Sequence, residues 1–177
     1  EVDLHDYYGH FMYFGFRDHA QSVLFSLCKP GDVIIDIGTN IGYSLLNMAK
    51  IVGANGCVYG FEPDPLNFSR LQKNISLNSM SNIKVFQIGL GNTSGKFKLE
   101  NTVEFNSGGK RIAPSDLSNR ADYTEVHVDT FDSFVEKNFT SSRIDLVKID
   151  VEGFEFNVLK GALHTLRKYS PLLFIEL

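Results

Sequence analysis

Along this chain, short runs of consecutive apolar, β-branched residues alternate with stretches whose apolar positions recur every three or four residues. The first kind of pattern predicts strands buried on both faces, and the second predicts helices laid over them. Residues 33–37 form the clearest apolar run, with Asp36 near its end. Further strands are expected at 57–61, 83–88, 144–151 and 172–177. Helices are expected at 18–27, 42–52, 65–78 and 155–169. A short helix follows Thr130, whose hydroxyl suits an N-cap. Residues 95–100 and 124–128 read as shorter strands on either side of a polar loop. Strands and helices alternating at this spacing predict right-handed crossovers and a doubly wound, mostly parallel α/β sheet of Rossmann-like type.

The opening stretch breaks that rhythm. It holds Tyr7, Tyr8, Phe11, Tyr13, Phe14 and Phe16 with imperfect alternation. It is expected to pack onto the sheet as short strands or a lid. Arg17 and His19 precede the first helix and read as surface residues. The chain starts at Glu1 and stops inside an apolar run, which reads as an excised piece of a longer protein.

Bulk composition narrows the field. The chain has 177 residues, one domain's worth, with 43% hydrophobic and 21% charged residues. A net charge of −4 leaves no basic face for many phosphate contacts, so no nucleic-acid partner is expected. Cys28 and Cys57 have neither disulfide-framework nor metal-ligand spacing, which predicts free thiols in a reducing compartment. There is no apolar run of membrane-spanning length and no signal peptide, so the expected location is cytoplasmic. The Asn-x-Ser/Thr triplets at Asn67, Asn74, Asn92 and Asn138 are read as coincidence.

The chemistry concentrates at strand ends. In open α/β sheets, ligands bind beyond the carboxyl ends of the strands, beside the point where strand order reverses. After the first strand comes Asp36-Ile37-Gly38-Thr39-Asn40-Ile41-Gly42, where two glycines permit a tight turn and close approach to a ligand. About twenty residues on, Glu62 ends the second strand, where a carboxylate can hold both ribose hydroxyls. Together these point to a nucleoside-containing ligand. The dinucleotide fingerprint would need glycines at positions 38, 40 and 43, but Asn40 and Tyr43 stand at two of them. An acid two residues before the first glycine suits S-adenosyl-L-methionine (SAM) instead, with Asp36 facing the cofactor's ammonium group.

Lys148, Asp150 and Glu152 alternate along the predicted fourth strand and are expected to share one face. Charges there are either an ion-pair network, Lys148 with Asp150 or Glu176, or the lining of a reaction cleft. A methyl-transfer cleft needs in-line positioning and a base to take the acceptor's proton. Asp150 or Glu152 suits that role, with Lys148 tuning the charge. Asp150, Glu152 and Glu176 offer hard oxygen ligands for magnesium or calcium. No spacing motif demands an ion, so no metal site is assigned. Asn106-Ser107-Gly108-Gly109-Lys110-Arg111 lies in the polar loop, as either a surface excursion or a cover for the acceptor.

At this point the chain resembles the FkbM family of SAM-dependent methyltransferases. The likeness runs from Lys29 to Leu177, through residues 33–44, Phe61-Glu62-Pro63-Asp64-Pro65 with Asn67, residues 73–78 and Gly89-Leu90-Gly91. It continues through residues 128–132 and is strongest over residues 144–155, followed by Leu159-Lys160-Gly161-Ala162 and Ile175-Glu176-Leu177. The resemblance implies a methyltransferase domain at 29–177 after an aromatic segment and helix at 1–28. It implies SAM held by Asp36, Gly38, Thr39, Asn40, Gly42, Tyr43, Glu62, Pro63, Asn67, Gly89 and Leu90. Asp150, Glu152 and Lys148 are the implied catalytic set. The implied reaction is O-methylation of a hydroxyl on a small-molecule, sugar, glycan or natural-product acceptor. Rival readings are a catalytically silent SAM-fold binding module and an RNA methyltransferase. The family's sheet has seven strands, so the last two are expected to be missing from this chain.

Overall fold

A computed structural model describes residues 4–5, 9–10, 13–15, 19–101, 110–113 and 123–176. The N-terminal helix α1 (His19–Leu27) is followed by β1 (Val33–Ile37), α2 (Tyr43–Val52), β2 (Cys57–Phe61), α3 (Pro65–Asn78) and β3 (Ile83–Phe86). Then come β4 (Gly89–Leu90), β5 (Gly95–Asn101), β6 (Lys110–Ala113), β7 (Tyr123–Asp129) and α4 (Phe131–Asn138). The chain continues through β8 (Leu146–Ile149), α5 (Glu155–Lys160), α6 (Leu163–Tyr169) and β9 (Leu172–Ile175).

The main sheet has the order β3-β2-β1-β8-β9, and every pairing is parallel. From β1 the chain steps outward to β2 and β3, then returns to place β8 on the other side of β1. Strand order therefore reverses between β1 and β8, where such sheets bind ligands. The register sets Asp36 of β1 opposite Lys148 of β8. Side-chain alternation sorts the two faces. Val33, Ile35, Ile37, Val147 and Ile149 join one core with Phe61, Phe131 and Phe134. Ile34 and Leu146 face the other core, with Leu24, Leu45, Met48 and Leu71 of the first three helices. Asp36 and Lys148 share parity with this second set.

β4 to β7 form a separate four-stranded sheet, β4-β7-β5-β6, in which only β4 and β7 run parallel. It corrects the sequence reading twice. The strand expected at 83–88 divides after Phe86, because Gly89 and Leu90 pair with β7 rather than continuing along β2. The polar loop between the shorter strands contains a strand of its own, β6, antiparallel to β5. Asn106 to Gly109 lie outside the described residues, as do Arg17, Tyr7, Tyr8, Phe11 and Phe16; Tyr13 and Phe14 are exposed.

Two further boundaries move for tertiary reasons. The helix expected over 155–169 is interrupted at Gly161 and Ala162. A Cβ on Gly161 would lie 1.8 Å from the Gly91 carbonyl oxygen, so this turn packs directly on the β4 connection. The Asp132 carboxylate then caps the second segment, accepting from the amides of His164 and Thr165 at 3.0 and 2.7 Å. Strand β8 ends at Ile149. Glu152 and Gly153 adopt left-handed φ of 51° and 89°, so the strand alternation expected to carry Glu152 onto the face of Lys148 stops short of it.

Cys28 and Cys57 are free thiols, and burial pushes the Cys28 thiol up to about 11. Among the described residues, no helix is long and apolar enough to cross a membrane.

Candidate cofactor and methyl-transfer site

The loop after β1 is folded back onto the end of β2. The amides of Gly38 and Thr39 both donate to the Phe61 carbonyl, at 3.0 and 3.1 Å. The Thr39 hydroxyl donates to the Asp36 carbonyl and accepts from the Phe61 amide, so this side chain pins the loop from inside. Gly38 has φ of 83°, and a Cβ there would lie 1.7 Å from the Asp150 carbonyl oxygen. Only glycine fits between these two strand ends. Gly42, with φ of 96°, opens α2 without a side-chain cap, and a Cβ on it would meet Leu71 at 2.6 Å. The Asn74 side-chain Nδ2 donates to the Ile41 carbonyl at 2.9 Å and ties α3 to the same loop.

Glu62 joins the two loops. One carboxylate oxygen accepts from the Asn40 amide at 2.8 Å and the other from the Asp64 amide at 2.9 Å. Asp64 caps α3 through the Asn67 amide, with Pro65 in the first turn, so Asn67 is buried at the helix start. Asn40 takes left-handed φ of 52°. Its buried amide oxygen has no hydrogen-bond partner among the described residues, an acceptor positioned for a ligand. The Tyr43 ring lies 6.3 Å from that of Phe25, so α1 borders the same region. Gly89 abuts Pro63: a Cβ on it would come within 3.5 Å of that side chain. Leu90 is fully buried in the core cluster with Phe131 and Phe154.

Across the switch point, charges are drawn together. Lys148 Nζ stands 3.2 Å from Asp36 Oδ1 and 3.1 Å from Asp150 Oδ2, and donates to the Gly38 carbonyl at 3.4 Å. Asp36 is completely enclosed and Lys148 nearly so, whereas the Asp150 side chain is 33% exposed. The contact with Asp36 is held by charge rather than by an aligned hydrogen bond. Burial pushes the Asp36 carboxyl above its ordinary range despite Lys148 beside it. Burial alone would lower the Lys148 ammonium, but Asp36 and Asp150 more than offset it and hold it above its ordinary value. Asp36 thus meets Lys148 where the sequence suggested the cofactor's ammonium group, because no part of its carboxylate reaches the surface.

Glu152 is exposed on the turn after β8. Partial burial raises its carboxyl, and Asp150 and Glu155 raise it further. Glu155, at the start of α5, is absent from the sequence-derived set. It is buried, and its role toward backbone amides leaves no signal in the sequence. Among the described residues, no group of three His, Cys, Asp or Glu side chains is arranged to hold a metal ion.

Comparisons with known proteins place the chain in a family. The chain is 30% identical over 148 residues to hexuronic acid methyltransferase AglP of Haloferax volcanii, covering 84% of this chain and 57% of that protein. It is 24% identical over 152 residues to 2-O-methyltransferase NoeI of Sinorhizobium fredii, covering 79% of this chain and 61% of that one. The chain therefore spans less than two thirds of the length of these relatives. A solved structure assigned as an rRNA methylase, from Clostridium thermocellum, superposes with a TM-score of 0.52 at 10% identity, over 85% of this chain and 60% of that one. That likeness shows the Rossmann-like methyltransferase fold. Residues 36–177 match the Methyltransferase FkbM domain, and the chain belongs to this family of methyltransferases, whose cofactor is S-adenosyl-L-methionine.

Proposed function

We propose that this chain transfers a methyl group from SAM to a hydroxyl of a sugar-type or natural-product acceptor. The observation that carries the reading is the Asp150 carboxylate, one third exposed and anchored by the buried Lys148 at the carboxyl end of β8, next to the Gly38 turn against which the Asp150 backbone carbonyl packs. The names of the two relatives, a hexuronic acid methyltransferase and a 2-O-methyltransferase, support the acceptor class. The acidic net charge favours such an acceptor over RNA.

The residues fit the cofactor. Glu62 is buried where the two loops meet at the end of β2, Asn40 offers an acceptor with no partner among the described residues, and Gly38 and Gly42 let the loop turn tightly between them. When bound, SAM supplies a methyl group already activated by its sulfonium. Either Asp150 or Glu152 then takes the one proton that the acceptor hydroxyl loses as it attacks. Lys148 holds Asp150 in place and, through Asp36, locks the cleft end of β8 to β1.

Incubation with methyl-labelled SAM and a panel of uronic acids, neutral sugars and aliphatic alcohols tests the reading. Label is expected in a carbohydrate product that resists mild base, as a methyl ether does. Label released by mild base would mean a carboxylate acceptor and a methyl ester. Uptake by RNA alone would overturn the acceptor class.

A further inference from the structure

The turn that carries Asp150 and Glu152 holds an unusual shape. Glu152 and Gly153 are consecutive left-handed residues, and for glutamate that conformation is strained. Their backbone would relax unless something outside the turn held it. Glu155 does so: its Oε1 accepts from the Gly153 amide at 2.9 Å and from the Val151 amide at 3.3 Å. The Glu155 side chain is more than nine-tenths buried. The same turn presses on the cofactor loop. The Asp150 carbonyl occupies the space a Cβ on Gly38 would take, and the Asp150 amide donates to the Ile37 carbonyl at 3.0 Å.

We propose that Glu155 is a positioning residue for the cofactor site: its carboxylate latches the Val151–Gly153 backbone, which seats the Asp150 carbonyl against Gly38 and shapes the SAM cradle. This rests on the reading of that cradle as the SAM site. Both amides meet a single oxygen, so the latch needs one acceptor at the right distance rather than a negative charge. Glutamine keeps that oxygen. Alanine removes it, and aspartate is one methylene too short to reach both amides.

The test is isothermal titration with S-adenosylhomocysteine on the intact chain and on Glu155→Gln, Glu155→Ala and Glu155→Asp, with thermal unfolding of each. Glu155→Gln is expected to stay within about twofold of the parent affinity. Glu155→Ala and Glu155→Asp are expected to weaken binding about tenfold while unfolding cooperatively. Should the alanine variant fail to fold, the aspartate variant carries the comparison. Parent-like affinity in a folded Ala or Asp variant overturns the latch, as does a Gln variant as weak as Ala. Failure of the parent chain to bind removes the SAM-site reading itself, and the latch with it.

Discussion

Two ion pairs, one in each sheet of this protein, sit in opposite settings. In the four-stranded sheet, Lys96 of β5 and Glu125 of β7 pair at 2.6 Å with both side chains more than half exposed. Alternation there is what an antiparallel sheet with one packed face requires, as buried Val126 and Val128 between exposed Glu125 and His127 show. At the centre of the parallel sheet both faces are covered, and every residue of β1 and β8 is buried, including Asp36 and Lys148. A charge in the first setting is an ordinary solvated surface. In the second, an ion pair must offset a desolvation cost of several kcal/mol per ion. Lys148 between Asp36 and Asp150 meets that condition at the carboxyl end of β8, where the proposed cofactor site lies.

The sharpest way to break the contrast is Gly38→Val. Left-handed strain on a residue with a side chain costs on the order of 1–3 kcal/mol, and the clash with the Asp150 carbonyl adds to it. Loss of measurable S-adenosylhomocysteine binding is expected, with a midpoint of thermal unfolding lowered by roughly 10 °C.

Lys148→Met comes next. It leaves Asp36 enclosed without its cation, at a cost of about 3–5 kcal/mol. The deficit depends on pH. Asp36 titrates above its ordinary 3.8 in the folded protein. Its contribution is therefore most favourable below 3.8 and is lost as pH rises through the folded value. Removing Lys148 lifts that value further, so denaturant unfolding should show a smaller deficit at pH 4 than at pH 7. Lys148 titrates above its ordinary 10.5 in the folded protein, so the parent keeps this contribution throughout the neutral range and loses it only above 10.5.

Glu62→Gln should act more mildly. Glutamine has one carbonyl oxygen for the two amides of Asn40 and Asp64, so one bond is lost, worth about 1 kcal/mol. Affinity for S-adenosylhomocysteine is expected to fall about tenfold by titration calorimetry. At the other extreme, Lys96→Ala should change neither the unfolding midpoint nor cofactor binding, as exposed pairs contribute little. An effect as large as that of Lys148→Met would erase the contrast between the sheets.

The same contrast explains what was legible in the sequence. β1 was readable because a strand covered on both faces is a continuous apolar run, and Asp36 stood out against it. The Gly38, Glu62 and Asp150 chemistry was readable because it falls at strand ends. Pairing partners were not. Nothing local to residues 83–88 says that Gly89 leaves β3 for another sheet. Nothing local to 155–169 foretells that Gly161 rests on the Gly91 carbonyl. The Asp36–Lys148 pair joins residues far apart in the chain, so sequence assigned Asp36 to a ligand and left its protein partner unnamed. Glu155 escaped because it acts on backbone amides, which leave no mark in a side-chain pattern.

Titration of the intact chain with S-adenosylhomocysteine, in parallel with Gly38→Val and Lys96→Ala, tests the central claim most directly. The parent and Lys96→Ala should each show one saturable site of equal affinity, and Gly38→Val none. No binding by the parent, or binding that survives Gly38→Val unchanged, would contradict a SAM site at the β1–β8 switch point.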